Sequence, residues 1–171
     1  MSQIIRLFLC CLCLPFCYGT AFIPVAFAED VGASTGMLLP RFSTLKSDNV
    51  YVRTGPSMDY PIRWIYKRDG LPVEIEQEYD AWRKIKTPDG ETGWVHKILL
   101  GGSRTANITA ETGAIAYDDK SMLKPVVKFE KGVIVHVTEC ERLVCRVTFS
   151  PYEGWIEKKS LWGVYGSEIF N

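Results

Sequence analysis

The sequence DGLPVEI at residues 69–75 has a counterpart 62 positions later, where residues 131–137 read KGVIVHV. Both segments place β-branched residues at alternate positions, the spacing of side chains that share one face of a strand. Three further pairs follow nearly the same offset: RKI at 83–85 with CRV at 145–147, GWV at 93–95 with GWI at 154–156, and PI at 61–62 with PV at 125–126. The chain is therefore predicted to contain two copies of a unit of about 60 residues, joined near residues 101–103.

Short β-favouring runs separated by turn residues make up each copy, and no long stretch keeps a helical period. Turn signals in the first copy include Gly55-Pro56 and Asp69-Gly70. The predicted strands of the first copy are residues 50–53, 62–67, 72–78, 82–87 and 92–96. The sequence thus predicts an all-β protein.

Five strands in so short a unit are too few for a large sandwich, and they favour a small, highly curved barrel whose sheet folds over itself. We predict a first barrel at residues 41–101 and a second at 102–171, preceded by a flexible lead-in at 29–40. A core of this size is marginal alone, because a short chain buries a small fraction of its surface. Packing of one barrel on the other is expected to add the missing stability.

Residues 1–28 have the pattern of a removable export signal. Arg6 is the only charge, an apolar run extends from residue 7 to residue 27, and Ala26-Phe27-Ala28 forms a small-x-small exit. An uncleaved membrane anchor is the alternative, since the apolar run is long, although its two prolines weigh against a spanning helix. We expect cleavage after Ala28 and a periplasmic or secreted product without stable membrane insertion.

Removal of the signal leaves 143 residues with 19 Lys and Arg against 20 Asp and Glu. Such a balance provides no basic excess that would attract nucleic acid or anionic lipid by overall charge. Any ligand must therefore be recognised by a local surface.

Four of the six cysteines fall within the export signal, which leaves Cys140 and Cys145. In an oxidising compartment, two cysteines on adjacent hairpin strands can form a disulfide without strain, and two free thiols are the alternative. A metal site would need two more soft ligands, yet His96 and His136 each stand alone in sequence. We expect a structural disulfide and no metal or other cofactor.

The motifs VYVRTGP at 50–56, YPI at 60–62, WRKI at 82–85 and GETGWV at 90–95 resemble the bacterial SH3 domain. With the second copy, which closes on LWGVY at 161–165, the chain more narrowly resembles the exported double-SH3 proteins of alphaproteobacteria. This resemblance covers residues 41–165. It implies a binding module for cell-wall peptides or other envelope polymers, of the kind often found beside a hydrolase.

Three positions depart from the family pattern. Tyr51 stands where the family commonly has Asn, the second copy has AYDD at 116–119 in place of the Arg-x-Gly-Pro element, and Val144 replaces an aromatic residue. The departures in the second copy favour a mainly structural role for the second barrel.

Aromatic and basic residues of the first copy are the candidate ligand contacts: Tyr51, Arg53, Tyr60, Trp64 and Trp82. If Ile85 is in the core, alternation predicts that Trp82 points outward or lies over a bulge. Arg53 fits two roles, binding a ligand carboxylate or holding the loop at 54–61 through backbone carbonyls or Asp59.

Four further residues are predicted to be structural. Gly55 is expected to supply a backbone angle that other residues avoid, and Pro56 to stiffen the turn. Trp94 and Trp155 follow a glycine at the start of the last strand of each copy and are expected to cap the barrel cores.

Nothing in the sequence points to catalysis. No serine lies in a Gly-x-Ser-x-Gly turn, and the two histidines are expected in separate barrels. The carboxylates of Glu74, Glu76 and Glu78 are expected to be solvated. The sequence therefore predicts a non-catalytic exported protein that recognises peptidoglycan or another envelope ligand, a wall peptide or glycan, through the first barrel. An envelope protein as the partner, in an interaction or scaffold role, is the alternative, and a hydrolase is third.

Overall fold

The computed structural model describes residues 30–171, so the predicted export signal lies outside the described residues. These residues form a short two-stranded ribbon and two seven-stranded antiparallel sheets. The ribbon pairs β1 (Asp30–Val31) with β2 (Leu38–Leu39). No helix within this part of the chain is long and apolar enough to cross a membrane.

The first sheet forms the first barrel and has the strand order β5-β4-β8-β7-β6-β3-β9. Its strands are β3 (Arg41–Leu45), β4 (Val50–Arg53), β5 (Ile62–Tyr66), β6 (Pro72–Tyr79), β7 (Trp82–Lys86), β8 (Thr92–His96) and β9 (Leu100–Gly101). The five predicted strands are present within one residue at each end. The structure adds β3 and β9, which pair with each other and extend the sheet beyond β6.

The second sheet repeats the first, strand for strand, in the order β12-β11-β15-β14-β13-β10-β16. Its strands are β10 (Thr105–Ile108), β11 (Ala114–Tyr117), β12 (Pro125–Phe129), β13 (Ile134–Cys140), β14 (Val144–Phe149), β15 (Tyr152–Glu157) and β16 (Leu161–Trp162). A single 3-10 turn, Lys97–Leu99 or Lys158–Ser160, precedes the last strand of each sheet. The two predicted copies are thus confirmed as tandem SH3-like barrels.

Alternation along the strands places the aliphatic residues inside each barrel. Val73 and Val135, matched in the sequence repeat, are both fully buried. Each barrel also has a register shift in the hairpin that follows, between Ile75 and Gln77 and again between Val137 and Glu139. A bulge bends and twists its strand, and the repeated bulge therefore explains how a short sheet curves enough to close over its own core.

The two barrels pack directly on each other. Phe42 of the first barrel contacts the rings of Trp162 and Tyr165, with centroids 5.0 and 4.6 Å away. The Tyr165 hydroxyl donates a hydrogen bond of 2.9 Å to Glu74 Oε1. Ile134 of the second barrel packs against the core cluster of the first. Apolar area is therefore buried between units that would be marginal alone.

The predicted disulfide is present. Cys140 and Cys145 are bonded, stand directly opposite each other on β13 and β14, and are fully buried. The bridge ties a hairpin whose outer edge pairs with the C-terminal residues, since Cys140 exchanges two backbone hydrogen bonds with Phe170. The disulfide is thus part of the second core, which includes both cysteines.

The segment predicted to be a flexible lead-in contains the β1–β2 ribbon, and Glu78 holds its turn. The Glu78 carboxylate accepts hydrogen bonds from the Ser34 and Thr35 backbone amides, each 3.0 Å long, and from the Thr35 hydroxyl. It also lies 2.6 Å from Arg41 Nη2 and 3.3 Å from Arg83 Nε.

The expectation that Glu78 is solvated is wrong, because its side chain is fully buried. Burial pushes the pKa of Glu78 upward. The hydrogen bonds from Arg41, Thr35 and Ser34, with the charge of Arg83, outweigh that effect and hold the pKa below its ordinary value.

Candidate functional site

Three side chains line up across the outer face of the first barrel. Trp94 on β8 stands directly opposite Arg53 on β4 and directly opposite Lys84 on β7. Their strand neighbours Val52, Ile85 and Val95 are buried in the core. Because directly opposed residues lie on one face of a sheet, Trp94 is flanked on both sides by a cation. We call these three residues the Trp94 row.

An apolar strip continues the row onto the β4–β5 hairpin. Tyr51 lies opposite Ile65, and Arg53 lies opposite Ile62, so these side chains share the face of the row. All three apolar residues of the strip are exposed. The face therefore combines an indole, exposed aliphatic and phenol groups, and two positive charges. Such a mixture suits an amphipathic ligand that carries carboxylates beside methyl groups.

Arg53 holds the loop that borders this face. Its Nη1 donates a 2.7 Å hydrogen bond to the Tyr60 carbonyl, and the Thr54 amide donates to Pro61, while Asp59 accepts from Ser57. Of the two roles open to Arg53, the structure shows the loop-holding one through a backbone carbonyl. The remaining guanidinium nitrogens make no ion pair among residues 30–171.

The glycine of this loop has a different function from the one expected. Gly55 does not adopt a positive φ; instead, the ring of Tyr60 lies on it, and an added Cβ would stand 2.5 Å from Tyr60 Cδ1. Gly55 is thus required by the close approach of an aromatic ring. Tyr60 itself remains about half exposed beside Pro56.

Two of the predicted contact residues are not on the open face. Trp64 lies opposite Val52 and packs against the core, and the Arg63 guanidinium lies 4.4 Å from its ring centroid. Trp82 does face outward, but only 8 % of it is exposed. His96 stands opposite Trp82 on β8 and packs edge-on against its ring at 5.5 Å, so Trp82 points outward as alternation predicts but is covered.

Neither Trp94 nor Trp155 lies inside its core, although Trp155 is buried. Val95 and Ile156, the next residues along, fill the interiors, and neither tryptophan belongs to a core cluster. Trp94 is half-buried on the outer face. The alternation rule applied to Val95 would have placed Trp94 outside, and the same rule would have found Lys84 from Ile85.

The second barrel has an equivalent row, but its tryptophan is covered by another side chain. Trp155 stands opposite Tyr117 and Arg146, the counterparts of Arg53 and Lys84, but only 6 % of Trp155 is exposed. The Lys120 ammonium lies 4.5 Å from the Trp155 ring centroid, a cation–π contact. Arg146 is engaged in an ion pair with Glu153.

Two carboxylates hold Lys120 over the ring. Its Nζ contacts Glu141 and lies 3.2 Å from Glu139 Oε1. The hydrogen bond to Glu141 raises the pKa of Lys120; desolvation opposes this rise, and Glu139 adds to it. Lys120 is therefore charged at neutral pH and covers Trp155. Among residues 30–171, no cation lies over the ring of Trp94.

Within residues 30–171, no three His, Cys, Asp or Glu side chains are grouped so that they could hold a metal ion. His96 accepts a hydrogen bond from the Ile98 amide at Nδ1, and His136 lies on β13 of the other barrel. The two histidines are thus in separate barrels.

Solved structures to which this chain shows similarity include NlpC2 and NlpC1 from Trichomonas vaginalis. They are 16 % and 14 % identical to this chain, with TM-scores of 0.34 and 0.32, and the matches cover 72 % and 77 % of this chain and 48 % of each of theirs. An NlpC/P60 family protein from Bacillus cereus is 12 % identical, with a TM-score of 0.32, over 71 % of this chain and 55 % of its own. This chain spans about half the length of these structures.

No curated protein matches the chain. The family model of the bacterial SH3 domain matches two segments, residues 46–102 and 119–163, one in each barrel. Together these segments cover more than half of the 171 residues. The chain therefore belongs to the bacterial SH3 domain family.

Proposed function

We propose that this protein is an exported, non-catalytic binding module whose first barrel recognises peptidoglycan or a similar envelope ligand. The contact surface is the Trp94 row with the apolar strip beside it. Trp94 packs on the ligand, and Arg53 and Lys84 attract its carboxylates. The ligand is a wall peptide or a glycan bearing one.

The observation that carries this proposal is the difference between the two barrels. Both have a tryptophan between two flanking side chains at the same place in the same fold, but only Trp155 is covered by a lysine. A half-buried tryptophan between cations is the kind of residue that dominates binding energies, since it buries a large area at low entropic cost. The second barrel, in this proposal, supports the first.

Export and the absence of catalysis are parts of the same proposal. A buried disulfide persists in an oxidising compartment such as the periplasm or the outside of the cell. The resemblance to envelope-binding modules and the export pattern of residues 1–28 support the same location. No side chain in the Trp94 row is a nucleophile beside a base.

The test is co-sedimentation of the mature chain with purified peptidoglycan. The wild type is compared with Trp94→Ala and with Tyr79→Ala, which removes a more exposed aromatic ring from the last residue of β6 in the same barrel. We expect the wild type and Tyr79→Ala to pellet alike. Loss of a central tryptophan contact of about 2 kcal/mol should weaken binding of Trp94→Ala about 30-fold.

Circular dichroism of each variant separates loss of binding from loss of folding. Equal pelleting of folded Trp94→Ala and wild type would remove the Trp94 row as the site. If the wild type does not pellet, wall binding is refuted, and an envelope protein becomes the partner to seek. Release of soluble fragments from the wall by the purified protein would contradict the non-catalytic role.

A further inference from the structure

A second concave site lies where the chain passes from the first barrel to the second. It is a cavity of about 390 Å³, within the range of small-ligand pockets. Its apolar lining includes Phe42, Ile75 and Leu100. Four cationic residues also line it: Arg41, Arg83, Lys97 and Arg104. None of these residues belongs to the Trp94 row, so the cavity is separate from the surface of the proposed function.

The positive charge at this cavity exceeds the negative charge that contacts it. Glu78 serves both Arg41 and Arg83, and Glu168 lies 2.8 Å from Arg104 Nη2. Within residues 30–171, Lys97 makes no ion pair. Four cations are thus balanced by two carboxylates, and the site retains a net charge of about +2 that favours an anion.

Two donors at this cavity have no acceptor. Among residues 30–171, three buried side-chain polar atoms lack a hydrogen-bond partner, and two of them are Arg41 Nη1 and Arg104 Nε. Buried N–H groups are paired in the great majority of folded proteins, and leaving one unpaired is costly. The coincidence of both orphan guanidinium donors in residues that line one cationic cavity points to an acceptor bound there.

We propose that this junction cavity binds an oxyanion, the carboxylate or phosphate group of a small ligand. The unpaired Arg41 Nη1 and Arg104 Nε can each donate a charge-assisted hydrogen bond to an oxygen atom of such a group. On binding, each unused N–H turns toward the ligand, while Arg41 Nη2 keeps Glu78 and Arg104 Nη2 keeps Glu168 and the Gly163 carbonyl. Lys97, exposed at the rim, adds charge, and Phe42 and Leu100 receive the carbon part of the ligand.

The test is a titration of the ¹⁵N-labelled mature chain with sodium phosphate and, separately, with sodium acetate. Ionic strength is held constant with sodium chloride, so that general screening does not change. We expect saturable shifts of the Arg41 and Arg104 Nε–H signals and of the Gly101 and Gly102 amides. Tighter binding of phosphate identifies a phosphate group as the preferred oxyanion, and tighter binding of acetate identifies a carboxylate.

Two variants make the test decisive. Lys97→Gln removes an exposed charge that holds no other group, and it should weaken binding at least fivefold without unfolding the protein. Lys67→Gln, an exposed lysine that does not line this cavity, should bind as the wild type does. Absence of saturable shifts with both anions, or equal binding by Lys97→Gln and the wild type, would overturn the proposal. Neither outcome depends on whether the protein binds peptidoglycan.

Discussion

Replacing Glu78 by alanine tests whether one buried carboxylate holds the β1–β2 ribbon on the first barrel. The side chain is fully buried and contacts Arg41, Arg83 and the turn at Ser34 and Thr35. Its removal leaves two guanidinium groups without their counter-ion, and the Arg83 side chain is only 5 % exposed. The substitution also releases the β1–β2 ribbon from the barrel.

Breaking a buried ion pair by removing one partner costs about 3–5 kcal/mol, because the remaining charge stays out of water. We expect Glu78→Ala to lower the free energy of unfolding by this amount. Glu76→Ala, two residues away on the same strand, is the matched control. Glu76 is 30 % exposed and lies 3.9 Å from Lys84, so its loss should cost no more than about 1 kcal/mol.

Urea unfolding at pH 7, followed by circular dichroism, measures both variants against the wild type. Hydrogen exchange adds a local readout, since the Ser34 and Thr35 amides should lose their protection in Glu78→Ala. A loss for Glu78→Ala no larger than that for Glu76→Ala would refute the reasoning. So would a full loss with unchanged protection of the two amides, because the ribbon would then have another anchor.

The same carboxylate predicts a pH dependence. The folded-state pKa of Glu78 is below its ordinary value, so its contribution to stability is complete above the unfolded pKa of about 4.3 and is lost as the pH falls through the folded pKa. The difference in unfolding free energy between the wild type and Glu78→Gln should therefore be constant from pH 7 to pH 5.5 and shrink in more acidic solution. A difference that grew on acidification would contradict the assigned direction.

Four further substitutions test contacts within and between the two barrels. Gly93→Ala would make the new Cβ overlap Val52 Cγ1 and should cost about 1–3 kcal/mol in urea unfolding, whereas Gly102→Ala meets open space and should stay within about 0.5 kcal/mol of the wild type. Lys120→Ala should expose Trp155, so that acrylamide quenches the tryptophan fluorescence of the variant more strongly than that of the wild type. Unchanged quenching would mean that other groups cover the Trp155 ring. Tyr165→Phe removes a hydrogen bond between the barrels and should lower the free energy of unfolding by about 1 kcal/mol, which a thermal melt measures. An unchanged melting temperature would mean that this hydrogen bond is no stronger than the one the hydroxyl makes with water.

Much of this fold follows from local sequence patterns. The repeat at residues 69–75 and 131–137, the alternation of aliphatic residues and the turn dipeptides predict two small barrels, because strands and tight turns depend on neighbours within a few residues. The Cys140–Cys145 pair is also local, since both residues belong to one hairpin. The strand β3 escaped prediction because its sequence, RFSTL, lacks a clear alternation of apolar and polar residues.

The sequence by itself determined the two copies, five strands of the first copy and the disulfide, and it limited the proposed ligand contacts to aromatic and basic residues of the first copy. Only the tertiary structure decided which of those residues a ligand could reach. Trp82 is covered by His96, Trp155 by Lys120, and Glu78 is buried by a ribbon 43 residues earlier in the chain. The exposure of a side chain depends on neighbours that strand pairing and bulges bring together, and no local sequence pattern specifies these neighbours. Alternation therefore predicts the face of the sheet on which a side chain lies, but not which groups cover that side chain.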